Sequence, residues 1–192
     1  MKTVSFTSME HGTEEDYKFL AIHEREFSDA TADRVLEHLK SLENSFSGYK
    51  ITRLEHALQT ATRAYRDSAG EEMVVAALLH DIGDHLAPFN HGELAAAILK
   101  PYVSERTYWI LKHHGVFQGY YFFHHVGMDR NARDTYKGHP HYQACADFCA
   151  DWDQASFDPD YDSEPLAFFE PMVRRIFARE PSFDNEQLAA NA

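Results

Sequence analysis

The sequence predicts an all-α protein. Apolar residues recur at helical spacing in several segments, as Val35, Leu36 and Leu39 show in an early one. No stretch shows the strict apolar and polar alternation that indicates a half-buried β-strand. Residues that end helices, such as Gly70 and Pro101, separate the periodic segments. A bundle of helices is therefore the expected architecture.

The size and charge of the chain narrow the classes of function. With 192 residues, of which 44% are hydrophobic, the chain can bury one sizeable core, so we expect a single domain across residues 1–192. Its 31 acidic residues outnumber 18 Lys and Arg, which disfavours nucleic acid as a partner. Neither a signal peptide nor a membrane-spanning run is evident. We expect a cytoplasmic protein without a membrane partner or an evident obligate protein partner.

The N-terminal third is predicted to contain three helices. Thr13 precedes several acidic residues and marks a helix start. Further helices are expected at about 31–42 and 52–67. His56 lies off the apolar stripe of the third helix, on a side that carries the small residue Thr60. This side is either a second inward face that suits a ligand, or His56 simply faces solvent.

The central segment, residues 73–79, is apolar on every side and is predicted to be a fully buried helix. It delivers His80 and Asp81 into the interior before Gly83 ends it. Burying an unpaired carboxylate is costly, so this pair must be hydrogen-bonded, ion-paired or bound to a metal. The dipeptide alone leaves a structural pair and a metal site equally open.

More histidines lie at helix ends around this segment. His91 opens one predicted helix, and the next begins after Ser104 and is expected to end at His113 or His114, before Gly115. Metal ligands are commonly found at such positions, although a loop histidine can also be merely exposed. The sequence therefore supplies several candidate ligands near the His-Asp pair.

The region after these histidines changes character. Residues 116–141 are irregular in pattern and rich in aromatic and basic side chains, which suit either a core or a substrate pocket wall. The helix that follows places Asp153 at the margin of its buried stripe, and Cys145 and Cys149 are expected to be reduced core thiols. A packing helix at about 166–178 completes the chain.

Six of these residues can form one metal site. Four neutral imidazoles and two carboxylates are a sufficient inner shell for two divalent metals, with one carboxylate bridging them. The candidate ligands are His56, His80, Asp81, His91, His114 and Asp153.

This set of residues resembles the pattern of the HD-domain superfamily. His56, the His80-Asp81 pair and Asp153 match its H…HD…D pattern, and the two additional histidines match its dinuclear members. The resemblance covers about residues 50–155. It implies a helical bundle around a dinuclear metal site, in which Asp81 bridges the two metals.

Within the superfamily the chain is similar to the mixed-valent di-iron oxygenases. These include myo-inositol oxygenase and the small enzymes that cleave the carbon–phosphorus bond of 1-hydroxyphosphonates, and the similarity lies in residues 53–59, 79–83 and the Trp152-Asp153 pair. It implies Fe(II) and Fe(III) as cofactors, O2 as co-substrate and a small-molecule hydroxyphosphonate as substrate. The nearest branch acts on (R)-1-hydroxy-2-(trimethylammonio)ethylphosphonate and yields glycine betaine.

A metal-dependent phosphohydrolase of the HD type, acting on a phosphoester or nucleotide, is the alternative. The same ligands could hold metals that activate water instead of O2. Ligand identity alone does not separate the two activities.

Two positions that contact substrate in these oxygenases differ in this chain. Asp84 stands where they carry a histidine, and Gln118 stands where they carry a lysine, and both are candidate substrate-binding residues here. We therefore expect the phosphonate contacts to have moved into the irregular segment, with ring faces there for a quaternary ammonium group. The candidates are Arg130, Arg133, His124 and Lys137 for the phosphonate, and Tyr120, Tyr121 and Phe122 or Phe123 for the ammonium group.

The N-terminal segment, residues 1–30, is expected by the same resemblance to behave as a lid. In the related oxygenases a tyrosine and a glutamate from this region can cover the open iron. Tyr17 with Glu14 or Glu15 is the expected equivalent.

Overall fold

The computed structural model describes residues 2–45 and 48–182, and this part of the chain is helical and contains no strand. The all-α prediction is thereby confirmed. No helix within these residues combines the length and apolarity needed to cross a membrane. The residues after Pro181 are polar in sequence, which predicts a frayed end, and most of them, 183–192, lie outside the described part. The helices are α1 (Glu14–Asp29), α2 (Thr31–Ser41), α3 (Arg53–Arg66), α4 (Glu71–Leu79), α5 (His91–Leu99), α6 (Glu105–Phe122), α7 (Tyr142–Asp147) and α8 (Leu166–Phe177).

The start of α3 is set by a capping box. The hydroxyl of Thr52 accepts a hydrogen bond from the Glu55 N–H at 3.1 Å, and the Glu55 carboxylate accepts one from the Thr52 N–H at 2.6 Å. Both contacts satisfy backbone donors that a helix start leaves unpaired. Because this start is fixed, His56 lies one turn into the helix, where its side chain is buried.

Helix α4 lies at the centre of the core. Its apolar residues 73–79 are all buried, as the all-round apolar pattern predicts, and it packs against α3, α6 and α8. Burying a leucine side chain stabilises the fold by about 1.5–3 kcal/mol, and Leu78 and Leu79 are both completely buried. The most extensive helix pairs are α3 with α4 and α5 with α6. Each pair contributes one group of candidate ligands.

Helix α6 is longer than the sequence predicts. It continues through Gly115 to Phe122 instead of ending near His114. At Gly115 a Cβ would make ordinary contact, 3.8 Å from Nε2 of His91, whereas at Gly119 it would lie 2.3 Å from the ring of Phe123. The first part of the segment predicted as irregular is therefore helical.

The helix that carries Asp153 changes its winding. After α7 the chain forms a π-helical segment, Phe148–Asp153, and the Gln154 N–H donates to the Cys149 carbonyl at 3.0 Å. Single π turns of this kind are often found at functional sites. The predicted burial of Cys149 on this helix is confirmed, and Asp153 is buried beside it.

Candidate metal centre

The six predicted ligands meet at one place in the bundle. Five of them are at most 3% exposed, whereas the side chain of His91 is 26% exposed. Three overlapping groups among them have ligand atoms close enough to hold a metal ion. The residues are His56 of α3, His80 and Asp81 directly after α4, His91 at the start of α5, His114 of α6 and Asp153 at the end of the π-helical segment.

The buried histidines share one orientation. In each, Nδ1 faces a backbone carbonyl, and because a carbonyl only accepts, Nδ1 must carry the proton and donate it. A neutral ring then presents an unprotonated Nε2 to the centre, as a metal ligand requires. The contacts join His56 to Ser156 O at 2.8 Å, His80 to Ala77 O at 2.7 Å and His114 to Leu111 O at 2.7 Å.

The Nε2 atoms face each other in two pairs. They are 3.1 Å apart between His56 and His80, and 3.2 Å apart between His91 and His114. Two unprotonated nitrogen atoms repel each other at this distance unless a cation lies between them. Two ligands at a right angle around a metal, with bonds of about 2.1 Å, lie roughly 3.0 Å apart. Both pairs therefore have the spacing of neighbouring ligands on one ion.

Asp81 lies between the two pairs. Its Oδ2 is 3.4 Å from Nε2 of His56 and 3.2 Å from Nε2 of His80. Its Oδ1 is 3.3 Å from Nε2 of His91 and 3.2 Å from Nε2 of His114. Because each oxygen faces one pair, this carboxylate is arranged to bridge two ions.

Asp153 lies nearest to the pair of His56 and His80, although one of the three groups above also combines it with His114. Its Oδ1 is 3.3 Å from Nε2 of His56 and 3.6 Å from Nε2 of His80, and accepts a hydrogen bond from Gln118. Its Oδ2 is buried without a hydrogen-bond partner among the described residues. A buried carboxylate oxygen in this state calls for a cation. We call His56, His80 and Asp153 the inner half, and His91 and His114 the outer half, with Asp81 shared.

The electrostatics of the cluster favour ionised carboxylates. Burial raises the pKa of Asp81, but the charges of His80 and Arg53 outweigh this and hold that pKa well below its ordinary value. Burial also raises the pKa of Asp153, and hydrogen bonds from Nε2 of His56 and His80 in their protonated form lower it below its ordinary value. In turn, burial lowers the pKa of His80, while Asp81 and Asp153 raise it well above its ordinary value. The carboxylates thus stabilise positive charge at the imidazole nitrogen atoms. A metal ion bound between these groups would supply that charge.

A close approach of α5 to α6 brings the outer half together. A Cβ at Gly92 would lie 2.9 Å from the Leu111 carbonyl and 3.0 Å from the His114 ring. A larger residue at this position would push the two helices apart. The glycine next to His91 therefore sets the distance between the two outer imidazoles.

Arg53 and Asp84 form a second layer behind the ligands. Nε of Arg53 donates to Oδ2 of Asp84 at 2.7 Å, and its guanidinium also contacts Asp81. Oδ1 of Asp84 lies 3.3 Å from Nδ1 of His91. A carboxylate behind a histidine ligand orients its ring. The sequence analysis missed this role of Arg53, although its position one turn before His56 places it on the same face of α3.

A cavity of about 500 Å³ opens beside the centre. Asp84 and Gln118, two of the predicted substrate-binding residues, lie on its wall. Four aromatic rings also line it, from Tyr49, Tyr121, Phe122 and Phe157. The cavity thus combines metal-ligating groups on one side with ring faces on another.

Five predicted substrate-binding residues lie elsewhere. The guanidinium groups of Arg130 and Arg133 lie 4.2 Å and 3.8 Å from the ring centre of Tyr120, His124 is exposed beyond the end of α6, and Lys137 pairs with Asp134. None of these five is among the described residues that line the cavity. Tyr120 follows Gln118 by two positions and therefore points to the opposite side of α6. The two arginines pack on its ring and so lie on that side as well. The structure does not bring this group to the candidate centre.

The predicted lid residues also lie away from the cavity. The hydroxyl of Tyr17 donates to the Met9 carbonyl, and its ring stacks on Phe6 with centres 5.6 Å apart. Glu14 pairs with Lys18 at 2.5 Å, and α1 packs on α2 without burying any residue. Their role as a cover of the site stays a prediction.

Comparisons with known proteins leave the family open: no protein-family model matches the chain, and no curated protein matches it.

Proposed function

We propose that this protein is a di-iron oxygenase of the HD-domain type that uses O2 to cleave the carbon–phosphorus bond of a 1-hydroxyphosphonate, releasing phosphate and a carboxylate. One observation carries the proposal: two pairs of imidazole Nε2 atoms, 3.1 Å and 3.2 Å apart, share a single carboxylate. Because each oxygen of Asp81 faces one pair, the arrangement supports two ions.

The two irons, when bound, would supply the charge that chelates the hydroxyl and phosphonate oxygens and the electrons that activate O2. The residues of the chain hold this centre in place. Asp81 sets the spacing between the halves, and the Nδ1–H contacts to backbone carbonyls keep the imidazole rings from turning. His56 and Asp153 of the inner half also line the cavity, but they are at most 2% exposed, whereas the side chain of His91 is 26% exposed, so substrate would approach from the side of His91.

We propose (R)-1-hydroxy-2-(trimethylammonio)ethylphosphonate as the substrate and glycine betaine as the carboxylate product. The hydroxyphosphonate and one O2 have the same atoms and charge as the carboxylate, hydrogen phosphate and one proton. A quaternary ammonium group binds well against aromatic faces, and the cavity offers the rings of Tyr49, Tyr121, Phe122 and Phe157. The carboxylate of Asp84 adds negative charge on the same wall.

The alternative is a metal-dependent phosphohydrolase, because imidazole and carboxylate ligands suit several divalent metals. The cavity wall disfavours a nucleotide. Arg53 is the only Lys or Arg among the described residues that line it, and Asp81 and Asp84 already engage its guanidinium. A phosphate-rich ligand would find no free basic group there, which favours a small ligand chelated by the metals.

Anaerobic reconstitution with Fe(II), followed by a phosphate-release assay on 1-hydroxyphosphonates, tests the proposal. We expect release from the trimethylammonio substrate only when O2 is admitted, with O2 consumed in equal amount. The Asp153→Asn variant should be inactive, whereas Asp151→Asn, on the exposed side of the same segment, should be active. Hydrolysis of phosphoesters without O2, and no O2 uptake with any hydroxyphosphonate, would establish the phosphohydrolase instead.

A further inference from the structure

We infer that Gln118 is a positioning residue for the inner half: its amide holds the Asp153 carboxylate in the rotation that receives a metal ion. The inference rests on the two-metal part of the proposed function and does not depend on the reaction. Gln118 lies one turn after His114 on α6, so a single helix carries a ligand of the outer half and a contact to the inner half.

The contact determines how both side chains are oriented. Nε2 of Gln118 donates to Oδ1 of Asp153 at 3.0 Å. Because an ionised carboxylate only accepts, the amide must turn its NH2 group toward it. The bond prevents rotation of the carboxylate, so Oδ1 stays near the imidazole pair and Oδ2 stays buried with no protein donor among the described residues. This is the state in which a carboxylate can bind a cation.

The oxygen of the same amide indicates that Gln118 is not at this position to stabilise the fold. Oε1 of Gln118 is buried and has no hydrogen-bond partner among the described residues. An unpaired buried acceptor opposes folding, and leucine, of similar size, would avoid this cost. The contact with Asp153 is what explains a glutamine at this position.

The test compares Gln118→Leu with the unchanged protein by anaerobic titration with Fe(II), without any turnover. We expect affinity at the inner half to fall about 10- to 100-fold, the usual effect of removing a group behind a ligand, and the outer half to bind as before. The melting temperature of the metal-free chain should stay the same or rise. Gln118→Asn, one methylene too short to make the contact, should behave in the same way.

Two further variants test whether the effect of Gln118→Leu is specific to the inner half. Gln143 donates to Oδ1 of Asp147 at 2.7 Å on the exposed side of α7, so Gln143→Leu removes the same kind of bond away from the centre and should keep both ions. In a chain that carries His91→Ala and retains only the inner ion, adding Gln118→Leu should weaken that ion.

Two results would overturn the inference. Gln118→Leu could bind both ions like the unchanged protein, or it could lose both together with a lower melting temperature, which a purely structural role predicts. If the unchanged protein binds two ions but shows no O2-dependent reaction, the proposed oxygenase activity is refuted and the inference about Gln118 is not affected. An unchanged protein that binds no Fe(II) would overturn the inference as well as the proposed function.

Discussion

The inner and outer halves use the same kind of ligand in different surroundings. His56 and His80 are at most 1% exposed, and both donate from Nδ1 to backbone carbonyls that the helical bundle fixes. His91 is 26% exposed, and its Nδ1 lies near a side-chain carboxylate, Asp84, and 3.4 Å from the Pro88 carbonyl. Three of the four rings, with His114 of the outer half among them, are thus held by backbone carbonyls, and His91 is the one that a side chain at the cavity wall orients.

This difference suggests that the two halves have different roles in the centre. A site whose ligands are all buried keeps its ion and excludes water. A site with a partly exposed ligand can exchange its ion, take up substrate and offer an open position. Since Asp81 joins the two, any change in this carboxylate should affect both, and a change in the ligands of one half should affect that half first.

The largest effect is expected from Asp81→Asn. This substitution removes the charge shared by both halves, so we expect affinity for both ions to fall by more than about 100-fold, beyond the range for groups that only support a ligand. Metal content after gel filtration measures it. Asp151→Asn, on the exposed face of the π-helical segment, is the matched control. Retention of one tightly bound ion by Asp81→Asn would show that the carboxylate does not bridge.

Removal of metal by a chelator should separate the halves. With EDTA in excess we expect two phases of iron loss, a fast one from the outer half and a slow one from the inner half, because only His91 is partly exposed. His91→Ala should abolish the fast phase, and His56→Ala should abolish the slow one. If the unchanged protein and both variants each lose iron in a single phase, the division into halves is refuted.

A smaller effect is expected from Asp84→Asn. The amide can still accept from Nδ1 of His91, but it no longer carries the charge that Arg53 contacts. We expect outer affinity to fall about 10-fold, the lower end for supporting groups, with inner affinity unchanged. Fe(II) titration measures both constants. A loss of similar size in both halves would mean that the substitution acts through Arg53 on the shared Asp81 and not through His91.

Much of the centre follows from the sequence because burial and spacing are local properties. The apolar segment 73–79 had to carry His80 and Asp81 inside, and the ends of helices placed His91 nearby. The length of α6 did not follow, because a glycine such as Gly115 can end a helix or lie within one, and only the neighbouring elements decide which. Nor did the contacts of Arg53, which join α3 to residues 28 and 31 positions later in the chain.

The smallest effect is expected from His113→Ala, which tests whether the outer half has the register that the structure gives it. Adjacent residues on a helix point about 100° apart, so His113 and His114 cannot both face the centre. Nε2 of His114 is 3.2 Å from Oδ1 of Asp81, whereas the ring of His113 packs 4.5 Å from that of Trp109 and 4.6 Å from that of Tyr136.

Because the described residues give His113 aromatic packing and no contact with the candidate ligands, His113→Ala should keep two ions per chain and lower the melting temperature slightly. His114→Ala should lose the outer ion with its helices intact. Metal content and far-ultraviolet circular dichroism on the two variants decide the matter. Loss of an ion in His113→Ala, with none in His114→Ala, would mean that α6 presents the other histidine and that the outer half is built differently.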